Sequence, residues 1–104
     1  MKIKYFLTLI FTWLIVLIGS SQNTYVPDDN FEQALIDLGY DTGPLDDYVP
    51  TVKISYILIL RLENKNISDL TGIEDFTSLG ILDCEGNNLT SVDLSKIQAS
   101  FNFF

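Results

Sequence analysis

Residues 57–92 repeat themselves at a spacing of 22, and that period constrains the fold more than any other feature of this 104-residue chain. Sliding LGILDCEGNNLTSV (79–92) back by 22 places Leu79 on Ile57, Leu82 on Leu60, Cys84 on Leu62, Leu89 on Ile67 and Val92 on Leu70. Every one of these pairs sets apolar on apolar, and Phe76 falls on Ile54 in the same way. Asn87 falls on Lys65, the one mismatch. Moved forward, the shift carries Leu79 to Phe101 and Leu82 to Phe104, the last residue. A unit this short cannot bury its apolar face alone, so successive units must stack and share a core.

The spacing matches the pattern L-x-x-L-x-L-x-x-N/C-x-L of a leucine-rich repeat. Leu60 and Leu62, like Leu82 and Cys84, alternate along a short strand and point into the stack, with the residues between them facing out. Asn87 turns the chain out of its strand, and its amide satisfies backbone groups of adjacent coils that would otherwise be buried unpaired. Lys65 has no acceptor, so the first coil is expected to use Asn64, Asn66 or water there. Cys84, the only cysteine, cannot form an internal disulfide and reads as a small buried apolar residue.

Ahead of the repeats, Phe31, Ala34, Leu35 and Leu38 recur at helical steps, with Asp29 or Asn30 as cap and Gly39 just past the end. That predicts a short amphipathic helix from about Asn30 to Leu38. Pro27 precedes it, and Gly43-Pro44 opens an Asp-rich turn behind it. A helix this short is marginal alone in water, so its apolar face must dock, most simply as an end cap on the stack.

The amino terminus has a different character. Lys2 and Lys4 precede the apolar run Tyr5 to Ile18, and Gly19-Ser20-Ser21 follows it. This order predicts a secretory signal peptide cleaved near Ser21, with an uncleaved membrane anchor over Tyr5 to Ile18 as the alternative. Of 6 basic and 14 acidic residues, loss of Lys2 and Lys4 leaves 4 against 14, a net charge of −10. Such acidity disfavours nucleic acid and anionic membrane surfaces as partners. The absence of His removes the commonest general base and transition-metal ligand, and no nucleophile constellation replaces it, so the chain is not expected to be an enzyme or to carry a cofactor.

The stretch ENKNISDLTGIEDFTSLGILDCEGNNLTSVDLS resembles the 22-residue, internalin-like repeats of secreted bacterial leucine-rich-repeat proteins, and VPDDNFEQALIDLGYD resembles the cap helix that follows their signal peptide. The resemblance covers roughly Tyr25 to Lys96. It implies an α/β solenoid in which a short helical cap is followed by two to two and a half coils with a small parallel sheet. It also implies a non-enzymatic protein-binding or adhesion module, secreted or on the cell surface. The ending IQASFNFF departs from the family, since Ile97, Phe101, Phe103 and Phe104 stand where small polar residues and a fresh Leu-rich strand belong. A truncated member is one expectation, a structural remnant without independent activity that self-associates through its open carboxy-terminal end. A mini-solenoid closed by the Phe cluster is the other.

The boundaries that follow are a signal peptide over 1–21, a helical cap and acidic turn over 22–50, and repeats over 51–104, divided as 57–78, 79–100 and a partial 101–104. Binding to an unknown protein partner is expected on the strand face. Its outward columns are Ile59/Ile81, apolar; Arg61/Asp83, oppositely charged; and Glu63/Glu85, acidic. Support of strand packing and simple surface solvation account for the same residues equally well. Asp41, Asp46 and Asp47, with Asp28 and Asp29, offer oxygen ligands for calcium, but their spacing matches no calcium loop and a solvated turn is the reading adopted. Asn66-Ile67-Ser68 and Asn88-Leu89-Thr90 are glycosylation sequons, expected to be unmodified in a bacterial setting.

Overall fold

The computed structural model describes residues 22–90. Residues 1–21, expected to form a signal peptide, lie outside the described residues, as do Val92 and the Phe cluster of the carboxy terminus.

The cap begins with strand β1 (Asn23–Tyr25), continues into helix α1 (Asp29–Asp37) and returns as strand β2 (Tyr48–Pro50). Asp28, not Asp29 or Asn30, caps the helix, and Oδ1 of its carboxylate accepts from the backbone N–H of Asn30 and Phe31 at 2.9 and 3.0 Å. The helix therefore starts one residue earlier than the spacing suggests, because the extended Asp28 can fold its short side chain back over the first turn. Its end is a glycine stop. Gly39 adopts φ 88°, and the N–H groups of Gly39 and Tyr40 return to Ile36 O and Leu35 O. Phe31, Ala34 and Leu35 are buried on one face, as their spacing requires.

β1 and β2 pair antiparallel with Thr24 opposite Val49, and both of these central residues are buried. This ribbon was not foreseen, because each strand is three residues long and carries too little alternation to stand out. A one-turn helix α2 (Thr51–Ile54) leads from β2 into the first coil.

The coils follow. β3 (Ile59–Arg61) and β4 (Ile81–Asp83) pair parallel, with Ile59 opposite Ile81, Leu60 opposite Leu82 and Arg61 opposite Asp83. The observed register is thus the 22-residue shift read from the sequence. Between the strands the chain turns at Gly72 and makes a 3₁₀ turn (Ile73–Asp75). The result is a solenoid-like stack with one two-stranded parallel sheet among the described residues.

The core joins cap and coils without a break. Ile57, Leu60, Leu62, Ile67, Leu70, Leu79, Leu82 and Cys84 are all buried, together with Ile54, Ile73 and Phe76. Leu89 is partly buried against this core. Phe31 of the cap helix stacks on Phe76 at 6.1 Å between ring centroids. That contact supplies the docking a nine-residue helix needs.

The seam between the coils corrects one expectation. Asn64 and Asn66 do not replace the missing asparagine at Lys65; both take left-handed backbone conformations and shape the turn. Asn87 of the second coil reaches back instead. Its Oδ1 accepts from the N–H of Lys65 and Ile67 at 3.0 Å each, and its Nδ2 donates to Leu62 O and Cys84 O at 2.6 and 2.9 Å. The asparagine of one coil therefore serves the coil before it. Lys65 has only the cap behind it, and the cap supplies its own ties. Asp28 Oδ2 accepts from Ser68 N and Asp69 N, and Asn30 Nδ2 donates to Asn66 O.

Candidate binding face

The strand-face residues are brought together by the parallel register. Parallel strands lie about 4.8 Å apart, so residues in register form columns. Ile59 and Ile81 are 46% and 39% exposed, which leaves an apolar column open to solvent. Arg61 and Asp83 form an ion pair at 3.9 Å, long and partly exposed, worth at most about 0.5 kcal/mol after solvent screening. Glu85 is exposed, whereas Glu63 is half-buried, and its Oε2 is shielded from solvent without accepting a hydrogen bond within the protein. A shielded carboxylate oxygen lacking a donor is uncommon and calls for a reason.

Beside this column the carboxy-terminal end of α1 and the end of β3 enclose an open depression of about 390 Å³, lined by Ala34, Asp37, Leu38, Arg61, Glu63 and Lys65. No cleft is expected of a rod of coils, and the sequence reading missed this one. It arises because the cap is a helix and not another strand-bearing coil, so its end does not follow the sheet. Lys65 stood out in the sequence only as a mismatch, and Ala34, Asp37 and Leu38 only as parts of a helix. Nothing in their spacing relates them to β3.

The acidic turn also gathers more than the sequence suggests. Glu32, which spacing places merely on the cap helix, is fully buried, and its two oxygens accept from Asp46 N and Asp47 N at 3.0 and 2.9 Å. Its carboxylate lies among those of Asp29 and Asp47 on one side and Asp41 and Asp46 on the other, oxygens within 4.8 Å of one another in each group. Burial pushes the Glu32 carboxyl above its ordinary range, and the neighbouring Asp46 adds to this, against the lowering effect of the two N–H donors. Asp28 is not part of the cluster, since it is spent on the helix cap and the first coil. Asp41 and Asp46 also accept from backbone N–H groups nearby. These carboxylates act as local ties for the loop that follows α1.

Burial, and secondarily Asp83, raises the Cys84 thiol, which keeps it protonated and unreactive in its inward position.

No family model matches the chain. Over 76 residues, 73% of its length, it is 34% identical to Internalin J of Listeria monocytogenes serotype 4b (strain F2365). A solved structure described as the functional domain of InlJ from Listeria monocytogenes, including a cysteine ladder, matches with a TM-score of 0.57 and 27% identity over 81% of the chain. The chain is internalin-like. Sequence, superposition and the observed coil register agree on a leucine-rich-repeat stack. This internalin-like chain spans 8% of Internalin J and 21% of the solved domain. Among its described residues no helix is long and apolar enough to cross a membrane.

Proposed function

We propose that the chain is an exported, non-enzymatic protein-binding module that engages its partner through the strand face. The observation that carries the proposal is the exposed Ile59/Ile81 column running beside a depression lined by Arg61, Glu63 and Lys65. A partner that covers the column with an apolar side chain and seats a polar group among Arg61, Glu63 and Lys65 engages both features at once. Arg61, Asp83 and Glu85 surround this centre and set its polarity, so they govern orientation and association rate more than strength. The face is small beside the roughly 800 Å² per partner of a stable complex, which makes a weak or multivalent contact the natural mode.

Export rests on the charged start, apolar run and small-residue exit of residues 1–21, and a surface or secreted adhesion role rests on the likeness to Internalin J. Amino-terminal sequencing of the exported chain tests the cleavage, with a start at or near residue 22 expected and retention of Tyr5 to Ile18 pointing to an anchor. For binding, immobilised chain is exposed to solubilised cell-surface proteins beside Ile59→Asp/Ile81→Asp and Leu45→Asp variants. A partner retained by the parent and by Leu45→Asp but lost from the isoleucine variant supports the strand face. Equal retention by all three contradicts it.

A further inference from the structure

The entry segments of the two coils carry opposite surfaces. In the first coil Val52, Tyr56 and Leu58 are 70%, 62% and 66% exposed, with Lys53 exposed among them and no acidic residue anywhere between Asp47 and Glu63. One period later the same positions hold Glu74, Ser78, Gly80 and Asp75, all exposed. Protruding apolar groups and a cation on one coil thus become a small-residue recess and two anions on the next.

Neither half is required by the fold. Gly80 has an ordinary backbone conformation, and a Cβ there would meet only Leu58 O at 3.8 Å, so the recess is not imposed by a turn. Lys53 makes no ion pair among the described residues. The two segments lie side by side, since Gly80 N donates to Leu58 O and Thr77 Oγ1 to Ser55 O.

We propose that the chain pairs with a second copy of itself through a two-fold contact that lays the entry segment of the first coil, 52–58, on the entry segment of the second coil, 74–80, of the other copy. The two-fold axis lies in the contact plane midway between the coils. Leu58 and Tyr56 then enter the recess at Gly80 and Ser78 while Lys53 meets Asp75 and Glu74, and the same contacts recur in reverse on the other side. A face that is knob and cation on one row, hole and anion on the next, is complementary to itself under this operation and to little else. Asp75 retains a free oxygen for the contact, because Thr24 Oγ1 donates only to Oδ2. The surface lies before the strands, so pairing leaves the Ile59/Ile81 column open, and two such columns in one dimer double the valency of the proposed binding face.

The test is disulfide trapping between two full-length chains in mild detergent, which keeps the 5–18 segment from driving association. One chain carries Leu58→Cys and the other Gly80→Cys, each with Cys84→Ala and a different tag. The mixed disulfide is expected to form several-fold faster than either self-disulfide and faster than a control pairing Leu45→Cys with Gly80→Cys. Adding Lys53→Glu is expected to slow it, and thermal melts confirm that the exposed substitutions and the buried Cys84→Ala leave folding intact. Equal rates for mixed, self and control pairs, or a mixed rate indifferent to Lys53→Glu, overturn the proposal.

Discussion

Replacing Asn87 by Ala should do more damage than any other single polar substitution in the coils. The side chain makes five hydrogen bonds to backbone groups of both coils, the weakest to Glu85 O at 3.5 Å, and three of them are partly buried. Lys65 N lies at the exposed side and can turn to water, whereas Ile67 N, Leu62 O and Cys84 O sit in the seam. An orphaned buried polar group costs about 1–3 kcal/mol, and partial hydration of these three places the total near 3–5 kcal/mol. At about 0.05–0.15 kcal/mol per residue, a domain of this size has only some 4–10 kcal/mol to lose. Urea unfolding followed by circular dichroism should therefore show a midpoint lowered by several molar, or no folded baseline, with a slope of about 1 kcal/mol per molar. Lys65→Asn is the matched control and should stay within about 0.5 kcal/mol of the parent, because no coil lies behind it. A loss below about 1 kcal/mol for Asn87→Ala would refute the ladder argument.

Further outcomes follow from the same geometry. Asp28→Ala removes both the α1 cap and the tie to Ser68 and Asp69, and should cost about 2–3 kcal/mol by urea titration, more than the roughly 1 kcal/mol of an ordinary cap. Gly72→Ala should cost more than about 2 kcal/mol, since φ is 107° and a Cβ would sit 2.7 Å from Tyr25 O, while Gly80→Ala should be neutral in the same melts. The folded-state carboxyl of Glu32 titrates above its unfolded value, so the folded state holds its proton longer than the unfolded state does. Its contribution is fully present below the ordinary carboxylate range and is lost as pH rises through the raised value. Glu32→Gln should flatten that slope in melts recorded from acid to neutral pH. Arg61→Glu should change stability by less than about 0.5 kcal/mol, since its ion pair is long and exposed.

What the sequence revealed was periodic. The inward positions of both coils and the facing of Arg61 with Asp83 follow from one 22-residue shift, because stacking in register is the only way such units share a core. Four things escaped it for a common physical reason. The β1–β2 ribbon pairs residues 23 to 27 apart through strands too short to show alternation. Glu32 reads as an exposed helix position until the loop folds over it and donates two N–H groups. The direction of the Asn87 ladder, backward onto the preceding coil, is a matter of which neighbour exists, and pairwise matching of repeats cannot tell a coil from a cap. The depression beside Glu63 belongs with these, formed where helix and coil meet.

The central claim is that cap and coils form one cooperative stack presenting the strand face. Native-state hydrogen exchange on the full chain tests it most directly. The amides of Phe31 and Tyr40 in the cap and of Leu62, Ile67 and Ile81 in the coils should open with a common free energy close to that of global unfolding. Protection of the cap amides alongside open-chain exchange at Leu62, Ile67 and Ile81 would contradict it, since the strand face would then have no folded stack to stand on.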